Sequence, residues 1–203
     1  MKETMKIRIT FTEPLLATCA GDPELFGTWT GNKAPENAGP EAEFIVEDEL
    51  HKGSTVFMRE NDKPFILDYL FKGVFKSRCA ILKQETNTLS AELTNFRKII
   101  NEGIFVFPRK LFLQLPPGGV LTWLERPLRC QTMQGERVAL ARSECAPIGT
   151  QLECQIVVPV LRAKKDKHIN LLECVHEWLD ECKLIGLGQW RTASYGRFSY
   201  EVL

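Results

Sequence analysis

Apolar residues fall at alternate positions in KIRITFT, Lys6 to Thr12, which predicts a strand with one buried face; Pro14 ends or kinks it. The clearest alternation is TQLECQIVVPVLR, Thr150 to Arg162, where Leu152, Cys154, Ile156 and Val158 mark the inward side of a strand. From Pro64 the spacing changes. Leu67, Leu70, Phe71, Val74, Phe75, Arg78 and Ile81/Leu82 recur at threes and fours, which predicts a helix opened by the proline. A second helix is expected through Leu89, Leu93, Phe96, Ile99 and Ile100. A third, from about Ile169 to Leu184, has Leu172, Val175, Leu179 and Cys182 on its core face and Asp166 as its expected cap. Ile104 to Leu115 is β-like, with Pro108 forcing a bulge or an edge. Pro116 to Gly119 reads as a turn, and Val120–Leu124, Arg137–Ser143 and Arg197–Val202 as strands.

Two stretches break this pattern. Gly21 to Asp62 is rich in Gly, Pro, Asn and acids and reads as a long insertion over the core. Glu125 to Arg137 is polar and without a period, so it reads as an exposed loop within a loop or hairpin region at 116–137. The order of elements predicts one α+β domain over residues 1–203, an antiparallel sheet with helices on one face.

Composition adds exclusions. No apolar run approaches the roughly 18–20 residues that cross a bilayer, and the charged start MKETMKIRITF does not read as a secretory signal. The seven cysteines form no CxxC pair, against a zinc ribbon or a disulfide framework, and free thiols suit a reducing cytoplasm. No HExxH, GxSxG or Walker-type motif is present. Of His51, His168 and His176, only His176 lies on an expected helix, near Glu173 and Glu177. No cofactor, metal ligand set or catalytic residue is assigned.

The 26 basic and 26 acidic residues cancel, but they are segregated. Glu13 to Asp62 holds 11 acids against 3 bases, whereas Lys63 to Leu203 holds 20 bases against 14 acids. The span Lys72–Arg142 carries 12 bases, seven of them arginines, the side chain that grips phosphate bidentately and stacks on bases. Overall neutrality therefore does not argue against an anionic partner along one face.

The most distinctive stretch is GLGQWRTASYGRF, Gly186 to Phe198, between the last helix and the last strand. Its glycines permit close approach of backbones, and its N–H groups can face an anion. A dinucleotide loop would follow a strand and open a helix, the reverse of this order. Here the chain resembles the RAMP superfamily, CRISPR-associated RNA-binding proteins of ferredoxin-like, RRM-like fold with a C-terminal GhGxxxxxGhG loop. Gly186, Leu187, Gly188 and Gly196 fit that loop, and Phe198 replaces its last glycine. Phe71-Lys72-Gly73-Val74-Phe75-Lys76 is similar to the family's first-helix LKGxxR element, with Lys76 for arginine. The short length and the acidic insertion suggest a divergent member, encoded by a phage or other mobile element.

The resemblance implies single-stranded RNA as ligand. Lys72, Lys76, Arg191 and Arg197 would meet phosphates. Gly186, Gly188 and Gly196 would admit the backbone, and Gly73, costly in mid-helix, needs a packing or ligand reason of its own. Trp190 and Tyr195 would stack on bases; the plainer alternative is that they cover the edge of the core. Arg126, Arg129 and Arg137 of the polar stretch would add contacts. Three functions remain open: a non-catalytic RNA-binding subunit, or a mimic of one, in a CRISPR-type ribonucleoprotein with other protein subunits; a protein–protein module such as a phage inhibitor of a host defence complex; and a metal-independent endoribonuclease.

Overall fold

The computed structural model describes residues 2–21, 54–132, 135–161 and 169–203, with side chains at 128–132 and 136–139 left outside the description. Strand β1 (Lys2–Phe11) pairs antiparallel with β11 (Gln151–Pro159), from Lys2 opposite Pro159 to Thr10 opposite Gln151. Its other edge takes β12 (Phe198–Val202), from Ile7 opposite Val202 to Phe11 opposite Phe198. Strand β7 (Phe105–Phe107) completes the sheet in the order β12-β1-β11-β7. Helix α1 (Tyr69–Leu82) falls between β1 and β7, and α2 (Leu171–Ile185) between β11 and β12. The order is thus βαββαβ, with the fourth strand beside the first and the third beside the second, which is the ferredoxin-like α+β arrangement expected from the sequence.

The period of two decides which face is buried. Met5, Ile7, Ile9 and Phe11 face Leu152, Cys154, Ile156 and Val158 within one core, together with Phe71 and Phe75 of α1 and Val175, Trp178 and Leu179 of α2. Phe75 and Trp178 bring the helices together with ring centres 5.7 Å apart. Trp178 is fully buried, and its indole N–H donates to Ser90 Oγ at 2.7 Å. Ser90 Oγ donates to Glu177, whose carboxylate also accepts from the Leu89 and Ser90 amides. This network docks the 89–103 segment against α2. On the opposite face of the sheet Arg8 bonds Glu153 and Glu201, linking three strands. Arg8, then Lys6, holds the Glu153 carboxyl below the usual carboxylate range.

Two further sheets, of five and three strands, accompany the first. Strands β2 (Leu15–Leu16) and β4 (Ser54–Val56) join β10 (Gly135–Ala146), and β3 (Cys19–Ala20) pairs β4. Strands β5 (Met58–Glu60), β6 (Lys63–Leu67) and β8 (Lys110–Phe112) form the third. Among the described side chains six cysteines are free thiols, all but Cys19 buried, and burial pushes Cys154 and Cys174 up to about 12. No described helix is long and apolar enough to cross a membrane.

Several expectations need correction. Pro64 does not open a helix: it lies in β6, where its carbonyl accepts from Leu113 N, and α1 begins after the Asp68 turn. The second helix is broken into a 3-10 turn (Leu89–Glu92), a short α turn (Phe96–Lys98) and a π turn (Ile99–Gly103). Residues 125–132 and 135–137 are no loop; they lie in a long hairpin of β9 (Thr122–Thr132) and β10. Asn170, not Asp166, caps α2, its side chain accepting from Leu172 N and Glu173 N. The end of the expected insertion, 54–60, is strand within the sheets, while 22–53 and Asp166 lie outside the described residues.

The Trp178 network yields a test. Ser90→Ala leaves a buried indole N–H without its partner and is expected to cost about 1–3 kcal/mol in urea unfolding; an unchanged midpoint would contradict this account of the docking.

Candidate nucleic-acid interface

The glycine loop starts where α2 ends. Gly186 N donates to Cys182 O, and Arg197 Nε reaches back to the Leu184 carbonyl at 2.7 Å, serving the helix C-terminus. Leu187 N donates to Gly196 O at 2.9 Å, closing the loop at its base, and Gly196 N donates to Pro14 O at 2.8 Å, fixing it to the exit of β1. Gly196 has φ +71°, and a Cβ there would stand 1.9 Å from Leu187 O. At Gly188, with φ +81°, it would stand 2.7 Å from Leu16 O. The close approach expected to admit an RNA backbone is therefore to the chain itself, and the Gly186 space is likewise filled by Tyr195 O and Gly196. The glycines build the platform.

What the closed loop presents is a stack. Trp190 and Tyr195 lie with ring centres 5.1 Å apart and planes at 11°. The Arg126 guanidinium of β9 lies 4.8 Å from the Trp190 ring centre. Trp190 remains 39 % exposed and has φ +51°, in the left-handed region that costs a non-glycine residue of order 1–3 kcal/mol. Arg126 is only 8 % exposed. Its terminal nitrogens donate to Ser143 Oγ at 3.3 Å and Gln189 Oε1 at 3.2 Å, both neutral, and Nε has no hydrogen-bond partner. Burial lowers its pKa, but guanidinium stays protonated at any ordinary pH. A cation thus sits buried beside a tryptophan with no carboxylate on it among the described residues.

Arg191 repeats the theme: its Nη1 is buried without a hydrogen bond, as is Nε of Arg78 on α1. Both arginines act on the Cys182 thiol, which burial raises and they pull down. Lys72 turns elsewhere: its Nζ donates to Asn101 O at 3.0 Å and lies 5.3 Å from the Phe105 ring centre. No bond joins Lys72 or Lys76 to the loop, so the structure brings together Arg126, Trp190 and Tyr195 but not the lysines. Gly73 is exposed, and a Cβ there would meet nothing within 4 Å, so no packing within the chain requires it. Arg129 and Arg137 stand in the hairpin ladder opposite Val138 and Cys130, with side chains outside the described residues.

Sequence reading missed Gln189, which accepts from Arg126 and carried no signal of its own. Of the histidines, His51 and His168 lie outside the described residues, and His176 Nδ1 is 3.4 Å from Tyr200 OH.

No family model matches the chain, and no curated protein matches it. Among solved structures it is similar to a chain of the type III-B Cmr-beta assembly determined by cryo-EM with cognate target RNA bound, at 12 % identity and a TM-score of 0.50. That likeness covers 100 % of this chain and 61 % of the other, so this chain spans about three fifths of its neighbour's length. The fold is therefore shared with that chain.

Two glycine substitutions should act with opposite sign. Gly196→Ala forces a Cβ into a backbone oxygen at positive φ and is expected to cost well above 1 kcal/mol. Gly73→Ala, exposed in a helix with room for the methyl, should gain about 0.5–1 kcal/mol. Thermal unfolding of both variants checks the pair.

Proposed function

We propose that this chain is a non-catalytic subunit of a CRISPR-type ribonucleoprotein, or a mimic of one, that binds single-stranded RNA through the glycine loop. The observation that supports this most is the Arg126–Trp190–Tyr195 stack with its buried, uncompensated cation. A buried charge without a counter-charge is costly, and a phosphate would supply one. The exposed Trp190–Tyr195 pair offers an aromatic surface on which a base stacks, an interaction worth about 1–3 kcal/mol per base. Arg191, with an unpartnered buried nitrogen, is a further phosphate ligand at the same loop. Lys72, Lys76, Arg129, Arg137 and Arg197 add charge that steers the strand. The ferredoxin-like fold shared with a chain of an RNA-bound CRISPR assembly agrees with this reading. Its partners are RNA and neighbouring protein subunits in the cytoplasm, and it needs no cofactor or metal.

The test is single-stranded RNA binding by fluorescence anisotropy at about 50 mM salt. Trp190→Ala should weaken binding roughly 5- to 150-fold by loss of stacking. Arg126→Gln should weaken it and flatten the dependence of affinity on salt by about one phosphate contact. Wild-type protein that binds no RNA under these conditions would refute the reading.

A further inference from the structure

We infer that the open face of the four-stranded sheet carries a second stacking site for single-stranded RNA, at Phe105 and Phe107; this rests on the reading of the chain as an RNA-binding subunit. Strand β7 alternates. Val106 is buried opposite Ile156, so Phe105 and Phe107 point to the face away from the helices. They are 37 % and 50 % exposed, with ring centres 6.5 Å apart and planes at 21°. Two neighbouring exposed phenylalanines do nothing for the core, and an exposed aromatic pair on a sheet marks a contact surface.

The charge around the pair selects the occupant. The register puts Thr4, Val157 and Phe105 in one row and Lys6, Gln155 and Phe107 in the next. Lys2 Nζ lies 5.2 Å from the Phe105 ring centre, and Lys72 Nζ lies 5.3 Å from it. The carboxylates of this face, Glu153 and Glu201, are engaged by Arg8, with Lys6 also on Glu153. Lys2, Lys6, Arg8 and Lys72 thus outnumber the acids around two apolar rings. A base laid on the rings would set its phosphates beside Lys2 and Lys72, whereas an apolar protein surface would bury those ammonium groups without a counter-charge.

This site is separate from the loop. Phe105 is in the row of Thr4, and the loop joins the sheet at Phe11, seven residues along β1, or about 23 Å at roughly 3.3 Å per residue. One strand touching both would bind more tightly than either alone.

The experiment uses the full chain and a uridine-rich single-stranded RNA carrying iodouridine, at about 50 mM salt. Ultraviolet cross-links are expected at Phe105 or Phe107 in the wild type and in Trp190→Ala. Phe105→Leu/Phe107→Leu should weaken binding by about fivefold or more while melting as the wild type does. If that variant fails to fold, Lys2→Glu, an exposed change, should lower the cross-link yield at Phe105. RNA binding with cross-links confined to the loop, and wild-type affinity in the double variant, would overturn the inference and leave the loop reading standing. A double variant that keeps its RNA affinity but loses association with another protein subunit would also overturn it, in favour of a protein contact. Wild-type protein that binds no RNA would overturn both.

Discussion

Strand β1 is hydrogen-bonded along both edges, and its register decides where the candidate site lies. Met5, Ile7, Ile9 and Phe11 must face the helices to be buried, which allows only one phase of pairing with β11 and β12. A slip of one residue would turn this apolar set to solvent and Lys2, Lys6 and Arg8 into the core. With the phase fixed, the ends of the chain meet: Phe11 stands opposite Phe198, and Pro14 O receives Gly196 N. The glycine loop is thereby clamped to the exit of β1, at glycines that alone tolerate the contact. The same clamp holds Trp190 in its left-handed conformation beside the hairpin arginine.

That clamp changes what the loop is for. Its glycines pack chain against chain, and its exposed chemistry is aromatic and cationic. Stacking on Trp190 keeps the Arg126 plane desolvated, while Ser143 and Gln189 supply only neutral acceptors. Such a guanidinium is poorly satisfied by neutral acceptors alone.

The sequence made the ferredoxin-like core legible wherever burial imposed a period. β1 and β11 alternate, and the series Val175, Leu179 and Cys182 of α2 repeats at threes and fours, so burial is written in the residues themselves. It failed where a period ran across a boundary or was absent. Phe65, Ile66 and Leu67 are buried or half-buried in β6, and their apolar run merges with the spacing of α1, so only the Asp68 turn separates strand from helix. The β9–β10 hairpin pairs strand to strand from Thr122 to Cys145, but its stretch from Glu125 to Arg137 is polar and without a period to announce a strand. Arg126 was legible as a charge but not as a buried one. What buries it includes Trp190 and Gln189, more than sixty residues away along the chain. Local pattern carries no trace of such a contact.

The central claim is that Arg126 and Trp190 act on RNA as one unit. A double-mutant cycle measures this most directly, comparing the RNA affinities of the wild type, Arg126→Gln, Trp190→Ala and the double variant at fixed salt. The account predicts that the two losses are not additive, with a coupling of about 1 kcal/mol or more. Losses that add to within roughly 0.3 kcal/mol would contradict it.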